Sequence, residues 1–174
     1  MAPFNQALKF GLITGLILIA YNVVLYAFDV SIFSPVFSIL NGLISFGLMI
    51  ALTVIAINKT RDLDLSGRIS YLQALQVGFV VLLVSGYLGN LFSFVLNEYV
   101  DPEYMRRHVD NLIYSLEGKV PEETLDTMIE KFEENLVPLK TLIKGFWLTP
   151  LIGLVLSAII SIFIKKDKTN LELH

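Results

Sequence analysis

The sequence predicts an all-α integral membrane protein, a four-helix transmembrane bundle with a small extracytoplasmic helical hairpin between its third and fourth spans. Its 174 residues are 55% hydrophobic and only 17% charged, whereas an ordinary soluble domain carries about 25% charged residues. The apolar residues are gathered into four long stretches, and the charged residues lie almost entirely between them. This segregation, together with the length of the stretches, indicates a chain that is mostly embedded in lipid.

Each apolar stretch is close to membrane-spanning length. About twenty apolar residues in helical form cross the roughly 30 Å hydrocarbon core of a bilayer. A soluble helix rarely runs that far without a charge, because one of its faces meets water. The first stretch is also longer than the apolar region of a signal peptide, so we expect a retained span. We therefore predict a single membrane domain over residues 1–174, with a hairpin insert at 98–140 and spans at about 8–28, 35–57, 71–97 and 141–164.

The basic residues predict how the spans are oriented. Four spans place both termini on one side of the membrane, together with the loop 58–70. These three segments hold seven basic residues: Lys9, Lys59, Arg61, Arg68, Lys165, Lys166 and Lys168. The segment 98–144 instead holds eleven acidic and six basic residues. By the positive-inside rule, we expect both termini in the cytoplasm and the acidic segment outside.

The first two spans carry small residues at helical spacing. In the first span, Gly11 and Gly15 lie four residues apart, and the same face continues to Asn22. In the second span, one face carries three small residues: Ser38, Gly42 and Ser45. Small residues at this spacing let two helix backbones approach closely, and an asparagine can hydrogen-bond across the contact. These faces predict packing within the chain or a dimer contact.

The third span has two different faces. One face carries amides and a tyrosine: Gln73, Gln76, Tyr87, Asn90 and Asn97. The other carries small residues: Gly78, Ser85, Gly86 and Gly89. Amides facing lipid would stay unsatisfied at a cost of several kcal/mol each. We therefore expect the amide face to look into the bundle or at a partner, as a structural contact or as the lining of a polar groove. The small face should pack on a neighbouring helix.

The segment between spans three and four is typical of a helical hairpin. Asp101-Pro102-Glu103 predicts a helix start with Asp101 as the cap and Pro102 in the first position. Gly118 is the expected end of this helix, and Pro121 is expected to begin the next one. Each helix has an apolar stripe that it cannot bury alone. The two helices should pack on each other or lie on the membrane surface.

Single residues mark the ends and the path of the spans. Ser34 and Ser70 are the expected N-caps of spans two and three. Trp147 is expected near the membrane interface. Pro150 is expected to kink span four, because proline lacks the amide that would bond to the preceding turn.

The polar residues form no recognisable catalytic constellation. The absence of cysteine excludes disulfides, thiolate zinc sites and cysteine nucleophiles. His108, with Asp101, Glu103 and Asp110, is a weak set for a metal. No span carries a buried acid, lysine, arginine or histidine, which ion-coupled transporters usually place at membrane depth. We predict no catalytic residue, no metal site and no cofactor.

Two stretches and two later features follow one another in a recognisable order. They are Ala7-Leu-Lys-Phe-Gly-Leu-Ile-Thr-Gly15, then Arg61-Asp62 with Gly67-Arg-Ile-Ser-Tyr-Leu-Gln-Ala-Leu-Gln-Val-Gly78, then Asp101-Pro102 and the late Pro150. Taken together, they resemble a bacterial membrane family known only as domain of unknown function 4199. The resemblance implies four spans in the inner membrane of Bacteroidota-type bacteria. It brings no established activity and no catalytic residues.

Three functions stay open at this point. The first is a non-enzymatic accessory or scaffold subunit of a bacterial envelope complex, favoured by the small-residue faces. The second is lipid or small-molecule binding or transport through a polar groove on span three. The least favoured is an enzyme acting on lipid-linked substrates through His108 or the hairpin acids. As partners we expect the lipid bilayer and either another membrane protein or a second copy of the chain, and no nucleic acid.

Overall fold

The computed structural model of the chain describes residues 2–30 and 35–166, and the described part is almost entirely helical. The elements in chain order are α1 (Ala2–Ala27), α2 (Pro35–Asp64), α3 (Tyr71–Val95), a π-helical turn (Leu96–Val100), α4 (Tyr104–Leu116), α5 (Glu122–Asn135) and α6 (Pro138–Ile164). Four of these helices, α1, α2, α3 and α6, are long and apolar enough to cross a membrane. The predicted all-α fold class is confirmed, and the four helices indicate a multi-pass membrane protein.

Helix α3 is the central element. It packs extensively along α6 and along α1, while α1 and α6 barely touch each other. Helix α2 lies mainly against α1, with smaller contacts to α3 and α6. We call the end of the bundle that carries α4 and α5 the hairpin end, and the opposite end, with the turn between α2 and α3, the loop end.

The buried core lies towards the loop end. Ile57 of α2, Ala74 and Val77 of α3 and Ile160 of α6 are buried there in one cluster. Small hydroxyl side chains are buried beside them, and the Oγ of Ser157 donates a 2.7 Å hydrogen bond to the carbonyl of Leu75. Such interhelical bonds satisfy polar groups that have no water partner at this depth.

Glycines set the closest helix approaches around α3. A Cβ on Gly11 would lie 2.8 Å from the Cβ of Val84, and one on Gly15 would lie 3.2 Å from the Cα of Ser85. On the other side of α3, a Cβ on Gly78 would lie 2.5 Å from the Oγ of Ser157. The small residues of α1 and this glycine of α3 therefore lie in tight interhelical contacts, α1 to α3 and α3 to α6.

Helix α2 ends later than the sequence predicts. The expected boundary near residue 57 marks the end of the apolar stretch, but the helix continues to Asp64 through Lys59 and Arg61. Hydropathy locates the edge of the lipid, whereas backbone hydrogen bonding continues as long as the residues favour a helix. The turn that follows reaches φ = 79° at Gly67, a conformation that glycine adopts without strain.

The helix starts agree with the sequence at one position and differ at another. Ser70 caps α3 as predicted, and its capping box uses the side chain of Gln73, whose Oε1 accepts from the Ser70 amide at 2.9 Å. Asp101 does not cap α4, which begins at Tyr104. The amide of Asp101 instead closes the π-helical turn by donating to Leu96 at 2.8 Å. The predicted cap Ser34 lies outside the described residues.

The α1–α3 contact provides a test of the glycine packing. Gly15→Val places two methyl groups where the Cα of Ser85 and the side chain of Leu88 already lie. We expect a loss of about 1–3 kcal/mol, typical of overpacking, seen as a lower midpoint of thermal unfolding in detergent. Gly47→Val is the matched control, because a Cβ at Gly47 meets nothing within 4 Å. Equal midpoints for the two variants would contradict the packing.

Candidate functional site

A cavity of about 500 Å³ lies between α1, α2 and α3 at the hairpin end, and Tyr104 and Met105 of α4 complete its lining. Its wall is mainly apolar, with small polar side chains and glycines inserted. The polar side chains are Asn22, Ser45, Ser85, Asn90, Ser93, Asn97 and the hydroxyls of Tyr26 and Tyr104. None of the described residues that line it is charged. Most of its lining belongs to helices that are long and apolar enough to cross a membrane.

The cavity lies where the first half of α2 contacts α1 but stands apart from α3. Thr53, Ala56 and Ile57, in the second half of α2, are buried against the bundle. In the first half, Gly42 and Phe46 line the cavity and are exposed. Because α2 packs closely at the loop end and lies apart from α3 at the hairpin end, a space is left beside α3.

Several predicted packing residues face this space instead of a neighbouring helix. A Cβ on Gly42 or Gly89 would meet nothing within 4 Å, so neither glycine is in a close helix contact. Ser38 is exposed. Asn22 donates to the Leu18 carbonyl of its own helix at 2.8 Å and does not bond across a helix contact. Gly42 and Ser45 of the predicted small-residue face of α2 therefore border the cavity, because α2 diverges from α3 at this end.

The contact between α1 and α2 uses a different asparagine. The hydroxyl of Tyr21 donates to Asn41 Oδ1 at 2.8 Å, and the Oγ of Ser45 donates to the same oxygen at 3.3 Å. Sequence reasoning missed Tyr21, since a tyrosine in an apolar run gives no periodic signal. Ser45 thus serves both this contact and the cavity wall.

The predicted amide face of α3 divides into three parts. At the loop end, Gln73 is used in the cap of its own helix, and Gln73 and Gln76 line a second space of about 490 Å³ beside Phe4 and Ala7 of α1. In the middle, Tyr87 and Asn90 face α6. The remaining member, Asn97, lines the first cavity.

The middle part joins α3 to α6. Because Pro150 has no amide hydrogen, the carbonyl of Phe146 lacks its intrahelical donor. The hydroxyl of Tyr87 donates to this carbonyl at 3.3 Å, and its ring stacks on Phe146 with centroids 5.3 Å apart. One turn along α3, Asn90 Nδ2 donates to the Oγ1 of Thr149 at 2.9 Å. Helix α6 continues through Pro150 as one helix.

Asn97 holds a polar atom without a partner. Its Nδ2 donates to the carbonyl of Ser93 at 2.7 Å, while its Oδ1 is buried and accepts no hydrogen bond from the described residues. Asn97 lies in the π-helical turn Leu96–Val100 and lines the first cavity. Single π-helical turns frequently occur at functional sites, because they redirect side chains that a regular helix would space evenly.

At the hairpin end of the cavity, a polar and aromatic cluster holds α4 in place. We call it the α4 anchor, and its residues are Tyr26, Asp29, Asp101, Tyr104, Arg107 and His108. Arg107 pairs with both carboxylate oxygens of Asp101, at 2.7 and 3.0 Å, and Tyr26 donates to Asp101 at 3.4 Å. The ring of Tyr104 packs edge-on against Tyr26, with centroids 5.1 Å apart. These contacts bring the start of α4 onto the end of α1.

Electrostatics in the α4 anchor follow from these contacts. The hydrogen bond from Arg107 holds the pKa of Asp101 below its ordinary value, and burial raises the pKa of Tyr104. His108 is 3% exposed, and its Nε2 lies 3.5 Å from a carboxylate oxygen of Asp29. Asp110 is exposed and Asp101 is engaged by Arg107, so the weak metal set is not brought together. Among the described residues no group of three or more acids and histidines could hold a metal ion.

One comparison with known proteins gives a match. The sequence model of a family described as "Protein of unknown function (DUF4199)" matches residues 9–166. The chain belongs to this family. The match covers nearly the whole DUF4199 chain, from the first span to the end of α6, and confirms the resemblance seen in the sequence. No curated protein and no solved structure matches it.

Sequence reasoning found some of the cavity lining of this DUF4199 protein and missed the rest. Asn22, Ser45, Ser85, Gly89, Asn90 and Asn97 had been singled out for helix packing or for the amide face, and all of them line the cavity. Ser93 follows Gly89 and Asn90 on the same part of α3 and could have been added by helical spacing. Tyr104 and Met105 could not, because their approach to the cavity depends on how α4 folds back.

The bond from Tyr87 to the proline-freed carbonyl can be measured with a double-mutant cycle. Tyr87→Phe removes the hydroxyl and keeps the stacked ring, which should cost about 1 kcal/mol of stability. Pro150→Ala restores an amide that can donate to Phe146, so on that background Tyr87→Phe should cost almost nothing. The readout is the midpoint of thermal unfolding in detergent. Equal costs on both backgrounds would rule out the compensation.

Proposed function

We propose that this DUF4199 protein is a non-enzymatic membrane protein that binds an amphiphilic small molecule, such as a lipid, in the cavity between α1, α2 and α3. The observation that carries the proposal is the cavity itself. Its volume of about 500 Å³ lies in the range of roughly 300–1,000 Å³ that is usual for small-molecule sites. A mainly apolar wall with a few polar groups is also the usual composition of such sites.

The position of the cavity supports an occupant taken from the bilayer. Its lining belongs mostly to three membrane-spanning helices, and its exposed members include Asn22 of α1 and Gly42 and Phe46 of α2. An opening at this level faces lipid chains and not water. Close packing around the loop-end half of α3 holds α1, α2 and α3 in place. A ligand can therefore enter the cavity between them without rearranging the fold. Of the amide face that was expected to line a groove, Asn90 and Asn97 line this cavity, and Gln73, Gln76 and Tyr87 do not.

A cavity-filling variant tests the proposal. Gly89→Leu adds a side chain that meets no described atom within 4 Å at its Cβ, so it should fill the cavity without disturbing the contact between α3 and α6. In native mass spectrometry after mild detergent extraction, we expect the wild-type chain to retain a bound molecule. The variant should retain about tenfold less, which corresponds to about 1.4 kcal/mol.

Gly47→Leu serves as the control, since Gly47 is also unobstructed but does not line the cavity. Thermal unfolding of all three proteins checks that folding is equal. A wild-type chain without any retained molecule, or equal retention in Gly89→Leu, would refute the binding function.

A second candidate function, an accessory or scaffold subunit of an envelope complex, is favoured by one observation on α5. Its apolar stripe includes Leu125, Met128 and Ile129, yet no residue of 122–133 is buried. The helix touches α4 and α6 only slightly. On the orientation that the positive-inside rule predicts, this stripe is extracytoplasmic and available to a protein partner or to the membrane surface.

Site-specific crosslinking separates these two occupants of the stripe. A photo-reactive amino acid at Met128 should give a discrete adduct with another membrane protein, or with a second copy of the chain, if α5 docks on protein. The same group at Glu130, on the polar and exposed face of α5, should give none. Adducts with lipid alone at Met128 would argue against the accessory role and for a helix that lies on the membrane.

A further inference from the structure

The α4 anchor contains a buried histidine whose ring nitrogens form no hydrogen bond. His108 is 3% exposed, and neither its Nδ1 nor its Nε2 has a hydrogen-bond partner among the described residues. Its Nε2 lies 3.5 Å from a carboxylate oxygen of Asp29, which follows the end of α1. We propose that His108 and Asp29 form a pH-dependent contact, the α4 latch: when His108 takes up a proton, it bonds to Asp29 and fastens α4 to the end of α1.

The charges of the α4 anchor leave Asp29 without a cation. Arg107 donates to both carboxylate oxygens of Asp101, at 3.0 and 2.7 Å, so these two charges balance each other. Among the described residues, no lysine or arginine forms an ion pair with Asp29. With two carboxylates and one guanidinium, the anchor holds one negative charge in excess. A protonated His108 would neutralise that charge.

The other groups around His108 do not alter this balance over the same pH range. Tyr104 packs edge-on against the imidazole with ring centroids 4.6 Å apart, and Tyr26 packs against Tyr104. Phenols are neutral below about pH 8, and burial raises the pKa of Tyr104 further. The segment between Asp29 and α2 has no titratable side chain, and α5 contacts α4 only slightly. The remaining charged side chains at the start of α4 are exposed: Glu103, Arg106 and Asp110.

Two effects oppose each other at His108, and the position of Asp29 sets the direction. Burial disfavours an imidazolium, whereas a carboxylate within about 4–6 Å favours it. Here the carboxylate oxygen already lies at 3.5 Å, and a shift of about 0.7 Å would give a charge-assisted hydrogen bond. The Asp29 side chain is 74% exposed, and exposed aspartates are ionised at about pH 5.5. The attraction therefore favours proton uptake in the folded protein, and the latch closes as the pH falls.

The location of the latch gives it access to protons and a link to the cavity. Asp29 is exposed and lies beside the buried imidazole, so a proton can pass from solvent to His108 through this carboxylate. Histidine changes its charge between about pH 5 and pH 8. On the predicted orientation, the latch would respond to the pH on the extracytoplasmic side. Its closure would hold Tyr104, one turn before His108, against Tyr26 at the hairpin end of the cavity.

Hydrogen–deuterium exchange tests the latch on the full-length chain in detergent. The exchange of α4 (Tyr104–Leu116) is measured at about pH 8 and about pH 5.5, and each rate is divided by the intrinsic amide rate at that pH. We expect α4 to exchange about three- to tenfold more slowly at the lower pH, because His108 gains a charged partner only in the docked helix. The segment 74–82, which has no titratable side chain, is the internal reference and should not change.

Two carboxylate variants decide whether Asp29 is responsible. Asp29→Asn should abolish the slower exchange of α4 at the lower pH. Asp110→Asn is the matched control, because it removes an exposed carboxylate close to His108 in the chain and should keep the slower exchange. His108→Gln should also abolish it, and if that variant does not fold, the two carboxylate variants decide. Faster exchange of α4 at the lower pH in the wild-type chain, or the same slowing in Asp29→Asn, would overturn the latch.

Discussion

Pro150 deprives the carbonyl of Phe146 of its donor inside a membrane-spanning helix, and the hydroxyl of Tyr87 supplies one from α3. A carbonyl without a donor is unfavourable in hydrocarbon, so this bond helps to hold the two helices at one register. Asn90 and Thr149 bond one turn away, and a Cβ on Gly145 would collide with Asn90. The α3–α6 contact is therefore specified by polar atoms as well as by close packing.

Once α6 holds one side of α3, the rest of the bundle is arranged around what remains of it. Gly11 and Gly15 bring α1 close to another side, and α2 completes the bundle only at the loop end through Thr53, Ala56 and Ile57. At the hairpin end, the side of α3 that is turned towards α2 is left without close contact to that helix. The cavity occupies this space, and polar side chains of α1, α2, α3 and α4 line it.

Helix α4 returns to this end of the bundle, where Tyr104 joins the cavity lining while Arg107 and Asp101 hold the helix in place. The π-helical turn lies between the cavity and this anchor. A ligand in the cavity would therefore lie next to α4, the helix that leads into α5. The two candidate functions are compatible on this geometry, because a lipid site and a protein-docking helix occupy different faces of the same end.

The sequence alone determined that the chain has four apolar spans and a polar hairpin, since both follow from local composition. It also located the small residues of α1 and the cap at Ser70, because helical spacing and capping are local properties. Only the tertiary structure decided what the polar residues of α3 face. Gln73 bonds within the cap of its own helix, Asn90 bonds to Thr149 of α6, and Asn97 lines the cavity. All three nevertheless lie on one predicted face. Periodicity states which residues share a side of a helix, but the divergence of α2 and the return of α4 depend on contacts between segments far apart in the chain.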